Sequence, residues 1–187
     1  MTPVIRTERL LVRCAAETDV PALLRFFDEN REHMGPWEPP RPPDFHTHEF
    51  WRVQVGRHRR AFDAGAAVML FLFPHEDPSE VIGQISYTSI VRGPADMCML
   101  GYALAHKAQG QGYMYEALQA ANEYVFKQLN IHRVMANFMP HNVRSNAVLR
   151  RLGFTVEGYA RDYLYVNGAW RDHVLTSLTN QDWKPLD

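Results

Sequence analysis

The chain has 187 residues, of which 46% are hydrophobic and 22% are charged. This composition is ordinary for a globular protein, and we expect one domain over residues 1–187. The 20 Lys and Arg residues nearly balance the 21 Asp and Glu residues, for a formal net charge of -1. A strongly nucleic-acid-binding protein usually carries a basic excess, so no direct nucleic-acid partner is expected.

Cysteine usage and hydropathy restrict the class further. The 2 Cys residues, Cys14 and Cys98, each lie in an apolar run, which favours buried free thiols over a disulfide or a nucleophile pair. The longest apolar run, 64–74, is too short to span a membrane, and residues 1–11 are too polar for a secretion signal. We therefore expect a cytoplasmic protein, monomeric or homodimeric, without a membrane partner.

The N-terminal third predicts one strand and two helices. The strand covers 9–14, and the first helix follows it with Thr18 as its N-cap and Pro21 in its first turn. Five prolines exclude regular structure from residues 35–43, which we call the Pro-rich loop. The second helix is predicted from about residue 44 to about residue 64.

The middle of the chain predicts a β-meander followed by a long helix. Three strand-like segments joined by short turns cover 67–73, 81–91 and 97–105. After them, apolar residues recur every three or four positions over 114–129, which predicts a helix that begins near Gly112.

The C-terminal part predicts a strand, a short helix and two more strands. The strand covers 133–139, the helix lies within 142–154, and the last strands lie around 155–166 and 170–178. An Asn-Gly pair at 167–168 is typical of a tight hairpin turn between these two strands. The resulting order of seven strands and four helices predicts an α/β fold with a mixed sheet.

Residues 109–112 form a glycine-rich stretch, the glycine loop, just before the long helix. Free N–H groups at a helix N-terminus bind anions, and glycine lets a phosphate approach the backbone closely. A Walker A motif is excluded because Tyr113 follows Gly112, and a dinucleotide fingerprint is excluded because Tyr115 replaces its third glycine. The glycine loop is therefore either a phosphate or diphosphate site or a turn that only leads into the helix.

A second polar signal lies ahead of the short C-terminal helix. Asn142 precedes Ser145 by three residues, which is the spacing of an N-cap whose side chain accepts from the Ser145 N–H. An N-cap alone is common in helices of every function. An N-cap asparagine that follows the glycine loop by one helix and one strand is a more specific signal than an N-cap alone.

Together these two signals resemble the GNAT family of N-acetyltransferases. The acetyl-coenzyme A loop of that family has the form Gln/Arg-x-x-Gly-x-Gly/Ala. The corresponding residues of this chain are Gln109, Gly110, Gln111, Gly112, Tyr113 and Met114. The chain departs from the pattern at Met114, where the family usually has a small residue. The downstream asparagine of the family matches Asn142, and its Gly-Phe pair matches residues 153–154.

The resemblance covers residues 6–183 and is most detailed for the RimJ-type ribosomal-protein-alanine N-acetyltransferases. It includes ERLLVR at 8–13, PWEP at 36–39, PHNVRSNAVLRRLGF at 140–154 and GAWRDHVLTSL at 168–178. It implies the GNAT fold, with a mixed and mostly antiparallel sheet of about seven strands flanked by about four helices. It also implies direct transfer of acetyl from acetyl-coenzyme A to the N-terminal α-amine, Ala or Ser, of a ribosomal protein in a ternary complex.

The resemblance implies a coenzyme site around the glycine loop. In the family, the strand before the loop splays away from its neighbour, and the pantetheine arm of the coenzyme lies in the gap; here that strand is 97–105. The residues implied to contact acetyl-coenzyme A are Leu104, Ala105, Gln109, Gly110, Gln111, Gly112, Tyr113, Met114 and Asn142. No metal is expected, because the 9 His residues show no metal-ligand spacing.

The resemblance also indicates which group protonates the leaving thiolate. Many GNAT enzymes use a tyrosine seven residues after the asparagine, but Leu149 stands there in this chain. Ser145 is the next hydroxyl on the same helix and resembles the serine of RimL-type enzymes, so we predict it as the proton donor. A helix serine without a chemical role is the alternative.

The catalytic base cannot be transferred from the family, because the RimL-type glutamate aligns with Leu164. Glu38 in the Pro-rich loop is the predicted base or ammonium-binding group, and Asp162 and Asp172 are further candidates, each with a purely structural role as the alternative. An α-amine has a pKa of about 7.7–8.0, so roughly a tenth is neutral at neutral pH and a modest base suffices. The side chains predicted to line the acceptor site are Trp37, Tyr102 and Asp172, with a fixed core residue as the equal alternative for Trp37.

Two other functions fit the same sequence. One is an acetyltransferase for a small-molecule amine, which an acidic acceptor cleft would favour. The other is a coenzyme A-binding assembly or sensor protein with little turnover, which the departures at Met114 and Leu149 favour. A Ser145→Ala variant distinguishes an enzyme, which loses rate, from a binding protein, which has no rate to lose.

Overall fold

Eight strands form one sheet in the computed structural model, which describes residues 2–185. The strands are β1 (Val4–Arg6), β2 (Leu10–Arg13), β3 (Val68–Pro74), β4 (Gly83–Val91), β5 (Met97–Leu104), β6 (Arg133–Phe138), β7 (Thr155–Val166) and β8 (Ala169–Thr179). Their order is β1-β2-β3-β4-β5-β6-β8-β7. Every pair is antiparallel except β5 with β6, so the sheet is mixed and mostly antiparallel as predicted.

Five α-helices accompany the sheet. They are α1 (Val20–Glu29), α2 (Arg31–Met34), α3 (His48–Asp63), α4 (Tyr113–Lys127) and α5 (Val143–Arg151). None of the helices in residues 2–185 combines the length and the apolar character needed to cross a bilayer. A parallel strand pair needs a long connection, and α4 provides it between β5 and β6.

The structure adds one strand and one helix to the predicted order. The added strand β1 has three residues, and the added helix α2 is a single turn that follows α1 after Asn30. Both elements are too short to show a periodic pattern of apolar residues. The second predicted helix begins later than expected, at His48, where the Thr47 hydroxyl accepts from the Phe50 N–H at 3.2 Å.

The predicted N-cap at Thr18 is wrong. A 3₁₀ turn over Glu17–Asp19 precedes α1. The Asp19 carboxylate accepts from the Ala16 N–H at 2.7 Å and pairs with Arg13 at 2.6 Å. The end of β2 and the entry to α1 are therefore joined by an ion pair that spacing alone does not reveal.

The two faces of the sheet carry different helices. Val68 lies opposite Tyr87 across β3 and β4, and since side chains alternate along a strand, Phe71 points to the other face. On the Phe71 side, α3 contributes Trp51, whose ring lies 6.4 Å from that of Phe71. On the Tyr87 side, the buried tyrosine donates to Asn122 of α4 at 2.7 Å. The sheet is thus covered by α3 on one face and α4 on the other.

The two cysteines are free, as predicted. Cys98 is buried and Cys14 is half-buried. Burial is the main cause that raises the pKa of the Cys14 thiol to about 11 and that of the Cys98 thiol to about 12. Both side chains therefore stay protonated at neutral pH and are poor nucleophiles.

The sheet opens between β5 and β6. The parallel pairing covers only Met97↔Arg133 to Met99↔Met135. Beyond that point β5 continues to Leu104 while paired only with β4, and β6 continues to Phe138 while paired with β8. We call the gap between residues 100–104 and 136–138 the sheet opening.

Candidate active site

One side of the sheet opening is lined by main-chain groups of β5. The Ala105 N–H donates to the Ile82 carbonyl of the neighbouring segment at 2.8 Å. Because main-chain groups alternate in direction along an antiparallel strand, the N–H and C=O groups of Tyr102 and Leu104 face the opening instead. The Ala105 carbonyl also accepts from Ala108 at 3.0 Å. Both main-chain groups of Ala105 are thus already used, which makes it the least suited of the predicted main-chain contacts.

The glycine loop presents backbone at the N-terminus of α4. Gly110 and Gly112 have φ values of 76° and 83°, the left-handed conformation that glycine adopts without strain. Gly112 is the N-cap of α4. Within residues 2–185, the first N–H groups of α4 have no acceptor, since intrahelical bonds begin one turn later. A Cβ atom at Gly110 would have nothing within 4 Å, so the loop surface is open at that point.

Side chains from the N-terminal strands hold the glycine loop in place. Arg9 donates to the Gln111 carbonyl at 2.9 Å and pairs with Glu116 of α4 at 2.6 Å. Glu116 also accepts from the Thr7 hydroxyl at 2.6 Å and from the Arg9 N–H at 2.8 Å. The Arg9 guanidinium lies 4.4 Å from the centre of the Tyr113 ring. The loop conformation therefore depends on residues about a hundred positions away.

The departure from the family pattern at Met114 has a simple structural explanation. The Met114 side chain is only 5% exposed and belongs to the hydrophobic core, so it points away from the loop surface. Its N–H group lies in the first turn of α4. The predicted contact at Met114 can therefore be made only by the backbone, and its side-chain size does not obstruct an anion there.

A pair of hydroxyl groups lies across the opening. The Tyr102 hydroxyl on β5 lies 2.7 Å from the Ser145 hydroxyl on α5. Burial raises the pKa of Tyr102 to about 12, so it stays protonated at neutral pH. Asn142 caps α5, because its side chain accepts from the Ser145 N–H at 3.1 Å. Leu149, on the same helix, is 1% exposed and packs in the core.

The Pro-rich loop contacts two segments, the residue just before α5 and the turn between β7 and β8. The Trp37 ring lies 5.3 Å from that of His141, just before α5. The Glu38 carbonyl accepts from the Asn167 N–H of the β7–β8 turn at 3.1 Å. The Glu38 carboxylate forms an ion pair with Arg41, so the predicted base is already engaged by a cation.

Asp172 holds a bulge in the edge strand β7. Its carboxylate accepts from the Tyr159 hydroxyl at 2.6 Å and from the Asp162 N–H at 2.9 Å. The hydrogen bond from Tyr159 is the main cause that holds the pKa of the Asp172 carboxyl below its usual value. Asp162 has a φ of 48° within the irregular register between Ala160 and Leu164. These contacts fit the structural alternative for Asp172, because both of its carboxylate oxygens already accept hydrogen bonds from β7.

His33 is a residue near the glycine loop that the sequence did not single out. It lies on α2, and its Nε2 atom is 2.8 Å from the Nε2 atom of Gln109. No signal in the sequence predicts this contact, because α2 is a single turn and the two residues are 76 positions apart.

The predicted site residues contribute to neither a metal-ligand cluster nor the large cavity of the described part of the chain. No group of three or more His, Cys, Asp or Glu residues in the described part of the chain could hold a metal ion. A cavity of about 510 Å³ lies elsewhere, between the end of β2 and α3, with Cys14, Gly56 and Arg60 among its lining. None of the predicted site residues lines that cavity.

Comparisons with known proteins agree with the geometry. Residues 9–155 match the acetyltransferase (GNAT) domain family. The chain is 44% identical over 181 residues to the ribosomal protein uS5-alanine N-acetyltransferase of Escherichia coli (strain K12), covering 97% of this chain and 93% of that enzyme. These findings confirm the predicted family.

Two solved structures have the same fold. A ribosomal-protein-S5-alanine acetyltransferase from Vibrio fischeri superposes with a TM-score of 0.92 at 37% identity, covering 98% of this chain and 100% of the other. RimJ of Mycobacterium smegmatis, solved in complex with CoA-disulfide, gives a TM-score of 0.87 at 28% identity, covering 97% and 88%. The predicted fold is confirmed, with eight strands and five helices in place of about seven and about four.

Proposed function

This chain belongs to the GNAT family of acetyltransferases, and we propose that it transfers acetyl from acetyl-coenzyme A to the N-terminal α-amine, Ala or Ser, of a ribosomal protein. The observation that carries the proposal is the sheet opening. It has the glycine loop at the end of its β5 side and the Tyr102–Ser145 hydroxyl pair along it. The identity of 44% to an alanine N-acetyltransferase supports the choice of acceptor.

The coenzyme would be held mostly by the backbone. The Gln109 N–H donates to the His106 carbonyl at 3.2 Å, so the N–H groups of residues 110–112 and of the first turn of α4 are the ones that suit the diphosphate. The main-chain groups of Tyr102 and the N–H group of Leu104 suit the amides of the pantetheine arm, which would bind like an added strand. With its diphosphate at the glycine loop and its pantetheine arm along β5, acetyl-coenzyme A would place its acetyl thioester close to Ser145.

Two hydroxyls would handle the leaving group. The nitrogen of the neutral α-amine forms a bond to the acetyl carbon, and the bond from that carbon to sulfur breaks. Ser145 gives its hydroxyl proton to the departing thiolate and takes a proton from the Tyr102 hydroxyl 2.7 Å away, and Tyr102 regains a proton from water. The proton that the amine loses passes to water. An α-amine is partly neutral near pH 7, which makes a dedicated strong base unnecessary.

The Pro-rich loop would form the acceptor wall. Trp37 is 37% exposed and lies beside His141 at the start of α5, where an N-terminal residue of the acceptor could pack against it. Glu38 is fixed by Arg41 and by the contact of its carbonyl with Asn167. We assign Glu38 an electrostatic and positioning role on this wall. Asp172 would act indirectly, because its hydrogen bond from the Asp162 N–H maintains the bulge of β7.

A mass-spectrometric assay with acetyl-coenzyme A tests the proposal. The acceptors are peptides with a free N-terminal Ala or Ser, the same peptides with a blocked N-terminus and an internal Lys, and a panel of small amines. We expect a mass gain only for the peptides with free N-termini. Acetylation restricted to small amines, or coenzyme binding without acetylation of any acceptor, would contradict the proposal.

A further inference from the structure

His33 lies beside the glycine loop and contacts both Gln109 and His106. Its Nε2 atom lies 2.8 Å from the Nε2 atom of Gln109, and its ring lies 5.1 Å from that of His106. The buried Asn30 fixes the start of α2, because it accepts from the His106 N–H at 2.8 Å and donates to the Phe26 carbonyl at 2.8 Å. The imidazole is therefore held at the entrance to the loop by the fold itself.

The hydrogen bonds of this pair are incomplete. An amide nitrogen is only a donor, so the contact with Gln109 requires an unprotonated Nε2 on His33 and hence a neutral ring. In this arrangement the Gln109 Oε1 atom is buried without a partner among residues 2–185. A buried oxygen without a partner destabilises this arrangement.

A second arrangement of the same groups removes this defect. In the neutral ring, which accepts from Gln109 at Nε2, the single proton lies on Nδ1, and the hydrogen bond to the Leu104 carbonyl keeps it there. Nε2 therefore becomes a donor only when His33 gains a second proton. The Gln109 amide, turned by half a rotation, then accepts that proton with Oε1. Its NH₂ group is released to donate to another acceptor. Protonation of His33 and rotation of Gln109 are therefore coupled.

The charges around His33 oppose protonation in the free protein. Burial is the main cause that lowers the pKa of His33, and the neighbouring His106 and Arg144 of α5 lower it further, against the Leu104 carbonyl. On its own short helix, His33 follows Arg31 and Glu32. An anion bound at the glycine loop would offset the basic groups and provide the missing acceptor.

We propose that His33 and Gln109 form a proton-coupled contact for the coenzyme. When the diphosphate binds at the glycine loop, His33 takes up a proton and the Gln109 amide turns to donate to a phosphate oxygen. This inference rests on the proposed function, because it requires the coenzyme at that loop. It assigns to α2 a role in coenzyme binding that the glycine motif does not reveal.

Calorimetry of coenzyme A binding tests the inference without any acceptor. Titrations of the full chain in two buffers with different ionisation enthalpies give the number of protons taken up. We expect uptake in the wild type and its loss in His33→Gln, with a coenzyme affinity in the variant at least about fivefold weaker near pH 6. Since the proton is gained on binding, the wild-type advantage should be present at low pH and vanish as the pH rises through the pKa of the bound form.

Two further probes separate the possible sources of the proton. Dephospho-coenzyme A keeps the diphosphate but lacks the 3′-phosphate, and it should give the same difference between wild type and His33→Gln. His48→Gln removes an exposed histidine at the start of α3 and should behave as the wild type. Equal proton uptake in His33→Gln and wild type overturns the inference while the proposed function stands. A failure to bind coenzyme A overturns both.

Discussion

The two sides of the sheet opening differ in the groups that they present, which are backbone N–H groups on one side and side chains on the other. On the proposed coenzyme side, the glycine loop and the start of α4 offer backbone N–H groups, and Arg9, between β1 and β2, holds the loop in place. On the proposed acceptor side, the Pro-rich loop offers the side chain of Trp37, which is 37% exposed. A backbone site fits one ligand whatever its side chains are, whereas a surface of side chains can be changed to fit a new acceptor.

The largest effect is expected where the two sides meet, at Ser145. Ser145→Ala removes the predicted proton donor and should lower kcat about a hundredfold, while the dissociation constant for coenzyme A stays unchanged. Steady-state kinetics with an Ala-initiated peptide and calorimetry with coenzyme A measure the two quantities. Tyr102→Phe keeps the serine and should lose less rate.

Ser86→Ala is the matched control for this prediction. The Ser86 hydroxyl contacts the Gly101 carbonyl at 3.3 Å and lies on the opposite face of the sheet from Tyr102. It should retain the wild-type kcat. An undiminished kcat in Ser145→Ala would reduce Ser145 to a plain helix residue.

The coenzyme side can be tested with two glycines in the same conformation. Gly110 in the glycine loop and Gly168 in the β7–β8 turn both have a φ of 76°, and a Cβ at either position meets nothing within 4 Å. An alanine at either site costs about 1–2 kcal/mol of stability, because L-residues avoid this conformation. Only Gly110→Ala should also weaken coenzyme A binding, by about tenfold.

Thermal unfolding and calorimetry on the two variants separate strain from binding. The unfolding free energies of Gly110→Ala and Gly168→Ala should fall by similar amounts. If both variants bind coenzyme A equally well, the backbone of the glycine loop does not hold the ligand.

The acceptor side predicts a smaller and differently placed effect. Trp37→Ala should raise KM for an Ala-initiated peptide about fivefold, because an interface aromatic often contributes about 1 kcal/mol or more. The dissociation constant for coenzyme A should not change, and Trp37→Phe should restore most of the loss. An unchanged KM in Trp37→Ala would place the acceptor elsewhere.

Local signals in the sequence predicted the parts of the fold that depend on neighbouring residues. The N-cap of Asn142 is confirmed at 3.1 Å, and the turn residues Asn167 and Gly168 have φ values of 47° and 76°. The order of the longer strands and helices is also confirmed. Each of these features is decided within a few residues, by a cap, a turn or an apolar period.

Contacts between distant segments could not be predicted in this way. Ser145 and Tyr102 are 43 positions apart, and Gln109 and His33 are 76 apart. Their contacts depend on how the sheet and helices pack. The same applies to the ion pair of Glu38 with Arg41: the two residues are close in sequence, but only the folded loop shows that the carboxylate is engaged.

The smallest expected effect concerns Glu116, whose contacts with Thr7 and Arg9 hold the glycine loop in place. Burial alone would raise the pKa of Glu116, but hydrogen bonds from Thr7 and Arg9 outweigh it and hold the pKa below its usual value. Glu116→Gln should lower the unfolding free energy at neutral pH by only about 1 kcal/mol, since the Arg9 side chain is 41% exposed and solvent screens the pair.

The pH dependence of this loss identifies its cause. A carboxyl with a lowered pKa in the folded state stabilises the protein above the ordinary glutamate value of about 4.3, and this contribution disappears as the pH falls through the folded-state value. The gap between wild type and Glu116→Gln in denaturant unfolding should therefore close on acidification. Glu123→Gln, whose partner Lys127 is exposed on the same helix, should show almost no gap at any pH. A gap for Glu116→Gln that persists in acid would mean that shape, and not charge, holds the loop to the N-terminal strands.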